Sequence, residues 1–346
     1  MRERYTKMQR ILVLVLGVAF GLVPGLAQNL SIYYIDMEGG AATLLVTPAG
    51  ESMLVDTGHP MPDDRDAKRI HEVATKQAGL TKIDYLLTTH YHRDHFGGLF
   101  ALAKMIPIGK FFDHGDTVEQ QPGPALDMFK QYLALVEGKR TIVKPGDKIP
   151  LKGLDVTALA SHRETISAAI NGGGPNEALC RDAKPKDADP SDNASSLGFL
   201  LSFNNFQFLN LGDLTWNIEH KLACPQNLVG KVDLYQVTHH GLDRSGPPEL
   251  VLAIQPQVAI MNNGPRKGGP ASVFETLRKV KGIEDIWQVH RALPDGYGPN
   301  TADELIANME ETDQCKGNWL KVVVDAGGKY TITNGRNGFS KSYLAR

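Results

Sequence analysis

Four potential metal ligands fall within six residues of this chain, in the run Thr89-His90-Tyr91-His92-Arg93-Asp94-His95-Phe96-Gly97-Gly98. The apolar stretch Ile83 to Thr88 just before it reads as a buried strand. Zinc and similar borderline ions take imidazole nitrogens and carboxylate oxygens in a tight shell, so such side chains must converge from a loop rather than spread along a surface. A helical site would carry His at i and i+4, as in HExxH, and that spacing is absent here. The strand-then-loop setting lets His90 and His92 serve one ion while Asp94 and His95 turn toward a second. Gly97 and Gly98 permit a tight exit into a following helix. A solvated loop rich in His by chance is the bland alternative, and no other loop of the chain approaches this density.

The N-terminus has a separate character. Arg2, Arg4, Lys7 and Arg10 precede an apolar run from Ile11 to Val23 and then Gly25-Leu26-Ala27, the three parts of a secretory signal peptide over residues 1–27. The run is short for a spanning helix, and an uncleaved anchor is the alternative reading. Cleavage after Ala27 removes four basic residues and one acidic residue, which takes the formal charge from -2 to -5. An acidic exported protein, periplasmic or secreted, is not built to coat long polyanions, so charge does not favour nucleic acid as a partner. In an oxidising compartment a disulfide is permissible among Cys180, Cys224 and Cys315. Cys180 with Cys224 is the favoured pair, because Cys180 lies in a Gly-, Pro- and charge-rich stretch that gains from a tether. Cys315 is then the odd thiol, and three unpaired cysteines are the alternative.

The remaining 28–346 reads as one mixed α/β domain. Strands are expected at Leu30 to Met37, Ala42 to Thr47, Ser52 to Val55, Ile108 to Phe112 and Leu154 to Ala160, with helices at Asp66 to Gln77 and Ala125 to Val136. Arg163 to Asn193 reads as a long loop insertion. Beyond it, Ser196 to Ser202 and Phe206 to Leu211 form a hairpin. Strands at Val232 to Thr238, Gln257 to Met261 and Ile283 to Val289 then alternate with helices at Pro248 to Ile254 and Ala271 to Val280, and a last hairpin turns at Gly327-Gly328.

The HxHxDH run resembles the signature of the metallo-β-lactamase superfamily of metal-dependent hydrolases. That resemblance implies an α/β fold, the αββα four-layer sandwich, with its ligands gathered at one edge. It implies roles for further residues in chain order. Asp56, in Leu54-Val55-Asp56-Thr57-Gly58, would orient a ligand without binding metal. Asp213, in Leu211-Gly212-Asp213, would bridge two ions. The last ligand would be His239 or His240, in Val237-Thr238-His239-His240-Gly241, with His239 favoured because it comes first off the strand. His162 would be the third histidine of the first ion, its alternative being an ordinary loop histidine. His114 could line the pocket, and His59, His71, His220 and His290 read as surface or supporting residues. Within the superfamily the chain most resembles the soluble hydrolase domain of ComEC-type competence proteins, over Met53 to Gly98, Asn193 to Asp213, His239-His240-Gly241 and Val258 to Met261. It departs in lacking a multi-spanning membrane channel, in the 163–193 loop, and in Gly268-Gly269-Pro270 where those domains tend to carry His-Pro. DNA uptake is thereby removed and the transfer of nuclease activity weakened.

The resemblance implies two zinc ions, or manganese, about 3.5 to 4 Å apart, acidifying a shared water and polarising a substrate oxygen. His90, His92 and His162 would hold the first ion, Asp94, His95 and His239 or His240 the second, and Asp213 both. Asp94 would also orient the nucleophile, which makes Asp94 and Asp213 the catalytic candidates. Arg266 and Lys267 could meet an anionic group such as a phosphodiester, or form a solvated basic turn. No GxxxxGK[ST], GxSxG or GxGxxG is present. The implied function is an exported dinuclear metallohydrolase acting on a small molecule, with a phosphodiester leading. A lactone or β-lactam hydrolase is the alternative, although a true β-lactamase usually lacks the Asp213 carboxylate. A non-catalytic metal-binding envelope protein is the third reading, and the oligomeric state is left open.

Overall fold

The structure, a computed structural model, describes residues 29–293, 299–310 and 315–346. The expected signal peptide at 1–27 lies outside the described residues. No helix among the described residues is long and apolar enough to cross a membrane.

In chain order the first half comprises β1 (Leu30–Tyr34), β2 (Thr43–Val46), β3 (Ser52–Val55), α1 (Arg65–Glu72), β4 (Ile83–Leu87), α2 (Arg93–Phe96), α3 (Leu99–Met105), β5 (Ile108–Asp113), α4 (Pro124–Leu135) and β6 (Arg140–Ile142). There follow β7 (Asp155–Ser161), β8 (Glu164–Thr165), β9 (Gly174–Pro175), α5 (Glu177–Cys180), β10 (Gly198–Phe203), β11 (Phe206–Asn210), α6 (Trp216–Ala223), β12 (Gln226–Asn227) and β13 (Leu234–Gln236). The chain closes with α7 (Pro248–Ile254), β14 (Val258–Met261), α8 (Ala271–Arg278), β15 (Asp285–His290), β16 (Ile306–Asn308), β17 (Leu320–Val324), β18 (Lys329–Asn334) and β19 (Ser340–Leu344).

Two large sheets result, ordered β19-β18-β17-β1-β2-β3-β4-β5-β6 and β16-β15-β14-β13-β11-β10-β7-β8. Side chains alternate across each strand, and both faces are covered, which is why the strands read as continuous apolar runs. On β1, Leu30, Ile32 and Tyr34 enter the layer between the sheets, where they join Phe199, Leu201, Phe206 and Phe208 from β10 and β11. Tyr33 packs outward with Ile70, Leu99, Leu102 and Phe129 of α1, α3 and α4. On the other side Leu200 and Leu209 meet Leu222, Leu250, Ile254, Phe274 and Leu277 of α6, α7 and α8. Helices on sheet on sheet on helices is the αββα four-layer sandwich.

Topology gathers the chemistry on one rim. β3, β4 and β5 pair in parallel, as do β11, β13, β14 and β15, so the loops after them leave from carboxyl ends. The parallel pairs Val55 with Leu87 and Asn210 with Gln236 set Asp56 beside the His90 loop and Asp213 beside the His239-His240 turn.

The 163–193 stretch is more ordered than a plain loop. It carries β8, β9 and α5, β9 pairs with β12, and Cys180 is bonded to Cys224. The expected helix over Asp66 to Gln77 is α1 followed by a π-helical turn over Val73–Gln77. The helix α6 is absent from the sequence reading. Its buried stripe of Ile218, Glu219, Leu222 and Ala223 includes an acid, which hides the apolar period.

Glu219 is fully buried and accepts the Gly246 N–H, and burial pushes its carboxyl from 4.5 up to about 8. The folded state therefore holds this proton more tightly than the unfolded chain does. Its stabilising contribution is complete below pH 4.5 and is lost as pH rises through about 8. Thermal melts should show the wild type losing stability across that window, on the order of a few kcal/mol, relative to Glu219→Gln. Parallel pH profiles of the two proteins would remove the assignment.

Candidate metal centre

The ligand loop is fixed from below by Asp56. Its Oδ1 accepts the Thr89 N–H at 2.8 Å, and its Oδ2 accepts the Thr89 hydroxyl at 2.7 Å and faces His95 Nδ1 at 2.8 Å. Asp56 holds a φ of 62°, a left-handed backbone that costs a non-glycine residue energy and persists only where its surroundings enforce it. Tyr91, between the first two histidines, points the other way into the aromatic cluster of Phe96, Phe129 and Tyr132. Its hydroxyl donates to Gly115 O. His90 and His92 are thereby turned together, with Nε2 of the first 3.1 Å from Nδ1 of the second. At the exit, a Cβ on Gly98 would sit 2.1 Å from Thr57 O, so only glycine lets α3 start so close to the β3 loop.

Asp94, His95, Asp213 and His240 form one group whose ligand atoms all lie within 4.8 Å of one another. Asp213 Oδ2 lies 3.1 Å from His95 Nε2, 3.2 Å from His240 Nε2 and 3.4 Å from His239 Nε2. Asp94 Oδ2 is 3.5 Å from both His95 Nε2 and His240 Nε2. The two Nε2 atoms are 3.1 Å apart, while each Nδ1 is engaged elsewhere, on Asp56 and on Asn262 O. With Nδ1 as the donor, each Nε2 presents a lone pair, and two lone pairs facing two carboxylates require a cation between them.

The electrostatics report the same demand. Burial works against charging His95, yet Asp213, Asp56 and Asp94 together hold its imidazole well above the usual range. Burial likewise opposes ionisation of Asp213, but His240, His95 and His239 keep it well below the usual carboxylate range. Asp94 is also held low against burial, by His95, His240 and Lys267. Burial, then His95, depress His90, which keeps it neutral and able to donate a lone pair. Imidazoles and carboxylates in this set suit divalent ions of the zinc type.

Other expected residues fall differently. His240 enters the four-member group, whereas the favoured His239 touches Asp213 from outside it and turns Nδ1 toward Ser245 Oγ at 3.1 Å. Both histidines hold left-handed backbones, with φ of 57° and 56°, so order along the strand does not decide which ring faces inward. His162 completes no three-ligand group with His90 and His92 among the described residues. It sits exposed in a left-handed turn just past β7, its ring stacked on His114 at 5.8 Å. His114 is buried, with Nε2 3.1 Å from Asp192 Oδ2. Lys267 turns its Nζ onto Asp94 Oδ2 at 2.5 Å, and Arg266 is exposed.

Two acids were missed. His92 Nε2 faces Glu119 Oε1 at 2.9 Å, and Asp192 accepts the backbone N–H groups of Tyr91 and Val118 besides facing His114. Neither acid follows a strand, so periodicity offers no signal for them. Gly268 occupies the position where a His-Pro was noted as missing. A Cβ there would lie 1.9 Å from His240 O, so glycine is what lets this loop pack on the histidine turn. Beside the centre, residues 185–190 face Thr215, Trp216 and Arg244 across a cleft of about 1070 Å³.

Residues 36–175 match the family model described as the metallo-beta-lactamase superfamily. The lactamase-like protein notP of Aspergillus sp. is 35% identical over 104 residues, 30% of this chain and 31% of that protein. Recombination protein 2 of Haemophilus influenzae is 25% identical over 250 residues, 71% of this chain and 26% of that protein. The chain thus spans about a quarter to a third of these relatives' lengths. The metallo-beta-lactamase fold protein YhfI of Bacillus subtilis superposes with a TM-score of 0.46 and 11% identity, covering 75% of this chain and 95% of that one. The matched segment holds the HxHxDH run itself, so residues 36–175 carry a domain that matches the metallo-beta-lactamase superfamily model.

Proposed function

We propose that this protein is an exported, two-ion metal-dependent hydrolase acting on a phosphodiester. The observation that carries the reading is Asp213, a single buried carboxylate whose Oδ2 faces three histidines at 3.1 to 3.4 Å. His90 and His92 would hold one ion, Asp94, His95 and His240 the other, and Asp213 would serve both. Bound divalent ions supply Lewis acidity toward a substrate oxygen and acidify water. Asp94, kept ionised, accepts a hydrogen bond from the attacking water and sets its direction. Lys267 places an ammonium at the same carboxylate, where it can meet an anionic oxygen of the substrate. Asp56 keeps His95 turned inward through its Nδ1. The resemblance to ComEC-type domains supports a phosphodiester over a β-lactam, as does the extra carboxylate, while the acidic balance of the chain argues for a small diester over DNA.

Zinc- or manganese-loaded protein should cleave bis-p-nitrophenyl phosphate, and Asp213→Ala should abolish that turnover. Opening of a homoserine lactone or nitrocefin with silence on phosphodiesters moves the substrate to the alternative class. Less than one ion per chain after zinc reconstitution supports the non-catalytic reading. Elemental analysis should also separate the adjacent histidines. His240→Ala should lose bound metal outright, whereas His239→Ala should weaken metal affinity about 10- to 100-fold, as loss of a supporting contact does. Equal losses would return His239 to the ligand set. Export predicts a mature N-terminus at Gln28, read by sequencing the protein from an extracytoplasmic fraction, and an intact Met1 there removes it.

A further inference from the structure

A second group of metal-ligating side chains stands on the same rim, apart from the residues above. Asp36, two residues past β1, and His290, the last residue of β15, are both fully buried. Cys315 precedes β17 and is the free thiol of the chain's three cysteines, since Cys180 and Cys224 are bonded to each other. The Asp36, His290 and Cys315 ligand atoms all lie within 4.8 Å of one another. Cys315 Sγ is 3.3 Å from Asp36 Oδ2 and 4.0 Å from His290 Nε2, which in turn is 3.2 Å from Glu310 O. A tetrahedral zinc with bonds of about 2.0 to 2.3 Å separates its ligands by roughly 3.3 to 3.6 Å, so the cluster needs only a small contraction.

Donor roles point the same way. Both His290 nitrogens face carbonyl oxygens, Nδ1 that of Arg291 at 2.9 Å and Nε2 that of Glu310 at 3.2 Å, and when Nδ1 carries the proton the Nε2 lone pair is left for a cation to take. Arg69 pairs with Asp36 and Glu38. Glu38 is shared with Arg65 at 2.9 Å, so Asp36, Glu38 and a Cys315 thiolate against Arg69 and Arg65 leave a net negative charge that favours a cation. Burial, then Asp36, push the Cys315 thiol up to about 11, so without an ion it is protonated and a poor nucleophile at neutral pH. An open surface pocket with Glu310, Asn318 and Arg336 in its wall is also lined by Cys315.

We propose that Asp36, His290 and Cys315 bind a thiophilic divalent ion such as zinc, a structural site that cross-links the two sheets. β1 and β17 belong to the nine-stranded sheet and β15 to the eight-stranded one, so the ion joins the sandwich across its open edge. This site is independent of the hydrolytic centre, which holds no cysteine, and spectroscopy separates them.

Cobalt(II) titrated into the metal-free full chain should give the near-ultraviolet thiolate-to-cobalt charge-transfer band that only sulfur ligation produces. The band should saturate at one ion per chain. Cys315→Ser should abolish it and, with His290→Gln, should lower zinc content by one ion while turnover at the other centre is unchanged. Absence of the band in wild-type protein whose Cys315 titrates as a free thiol overturns the site, and so does equal zinc content in wild type and Cys315→Ser. Either result leaves the Cys315 thiol as a hydrogen-bond donor to Asp36 and nothing more. The wild-type band is read without any variant, so a poorly folding substitution does not blunt the test.

Discussion

The grip of Asp56 on Thr89 and His95 is the contact from which the rest of the centre follows. One carboxylate takes a backbone N–H, a hydroxyl and an imidazole Nδ1 within 2.8 Å, deep under the rim. Burial pushes Asp56 up from its usual range, with His95 opposing, so the charge on this residue is maintained by the imidazole it orients. Remove that contact and His95 is free to rotate, Asp213 loses its nearest imidazole at 3.1 Å, and a buried carboxylate is left short of compensation. The energetic cost of assembling these groups is borne by the apolar layers between and outside the two sheets.

Much of this was legible in the sequence because it is local. The HxHxDH run follows a strand whose apolar character is unmistakable, and the loop has little freedom to do anything but present its ligands. Asp213 after Phe206 to Asn210, and the histidine pair after Leu234 to Gln236, were legible for the same reason, since parallel strands deliver their carboxyl ends to one place. What the sequence does not carry is rotation about the backbone. His239 precedes His240, but both sit at left-handed φ, and that turn sends the second ring inward. His162 lies one residue beyond β7, as a third ligand should, yet its own left-handed turn leaves it on the surface against His114. Glu119 and Asp192 come from stretches without periodicity, and only the folded chain brings them to His92 and His114.

Strand direction also explains why two ligand clusters share an edge. β1 runs antiparallel to β2, and β2 to β3, so β1 points the same way as β3 and β4 and releases Asp36 on the rim that carries Asp56 and His90. β17 runs against β1 and therefore enters from that rim, which brings Cys315 there. The ends of the strands, unlike their flanks, carry loops rather than ladder hydrogen bonds. On this rim they are lined with side chains that attract cations.

Gly268 carries a consequence of a different kind. The loop bearing Lys267 lies in direct contact with the His240 carbonyl, and the Gly269 N–H donates to Gly241 O at 3.0 Å. Recognition and reactivity are thus mechanically one piece. Any displacement of the Lys267 loop also leans on the turn that carries His240. The same contact limits how the protein can diversify, since a bulkier side chain at Gly268 is accommodated only by moving the backbone of His240.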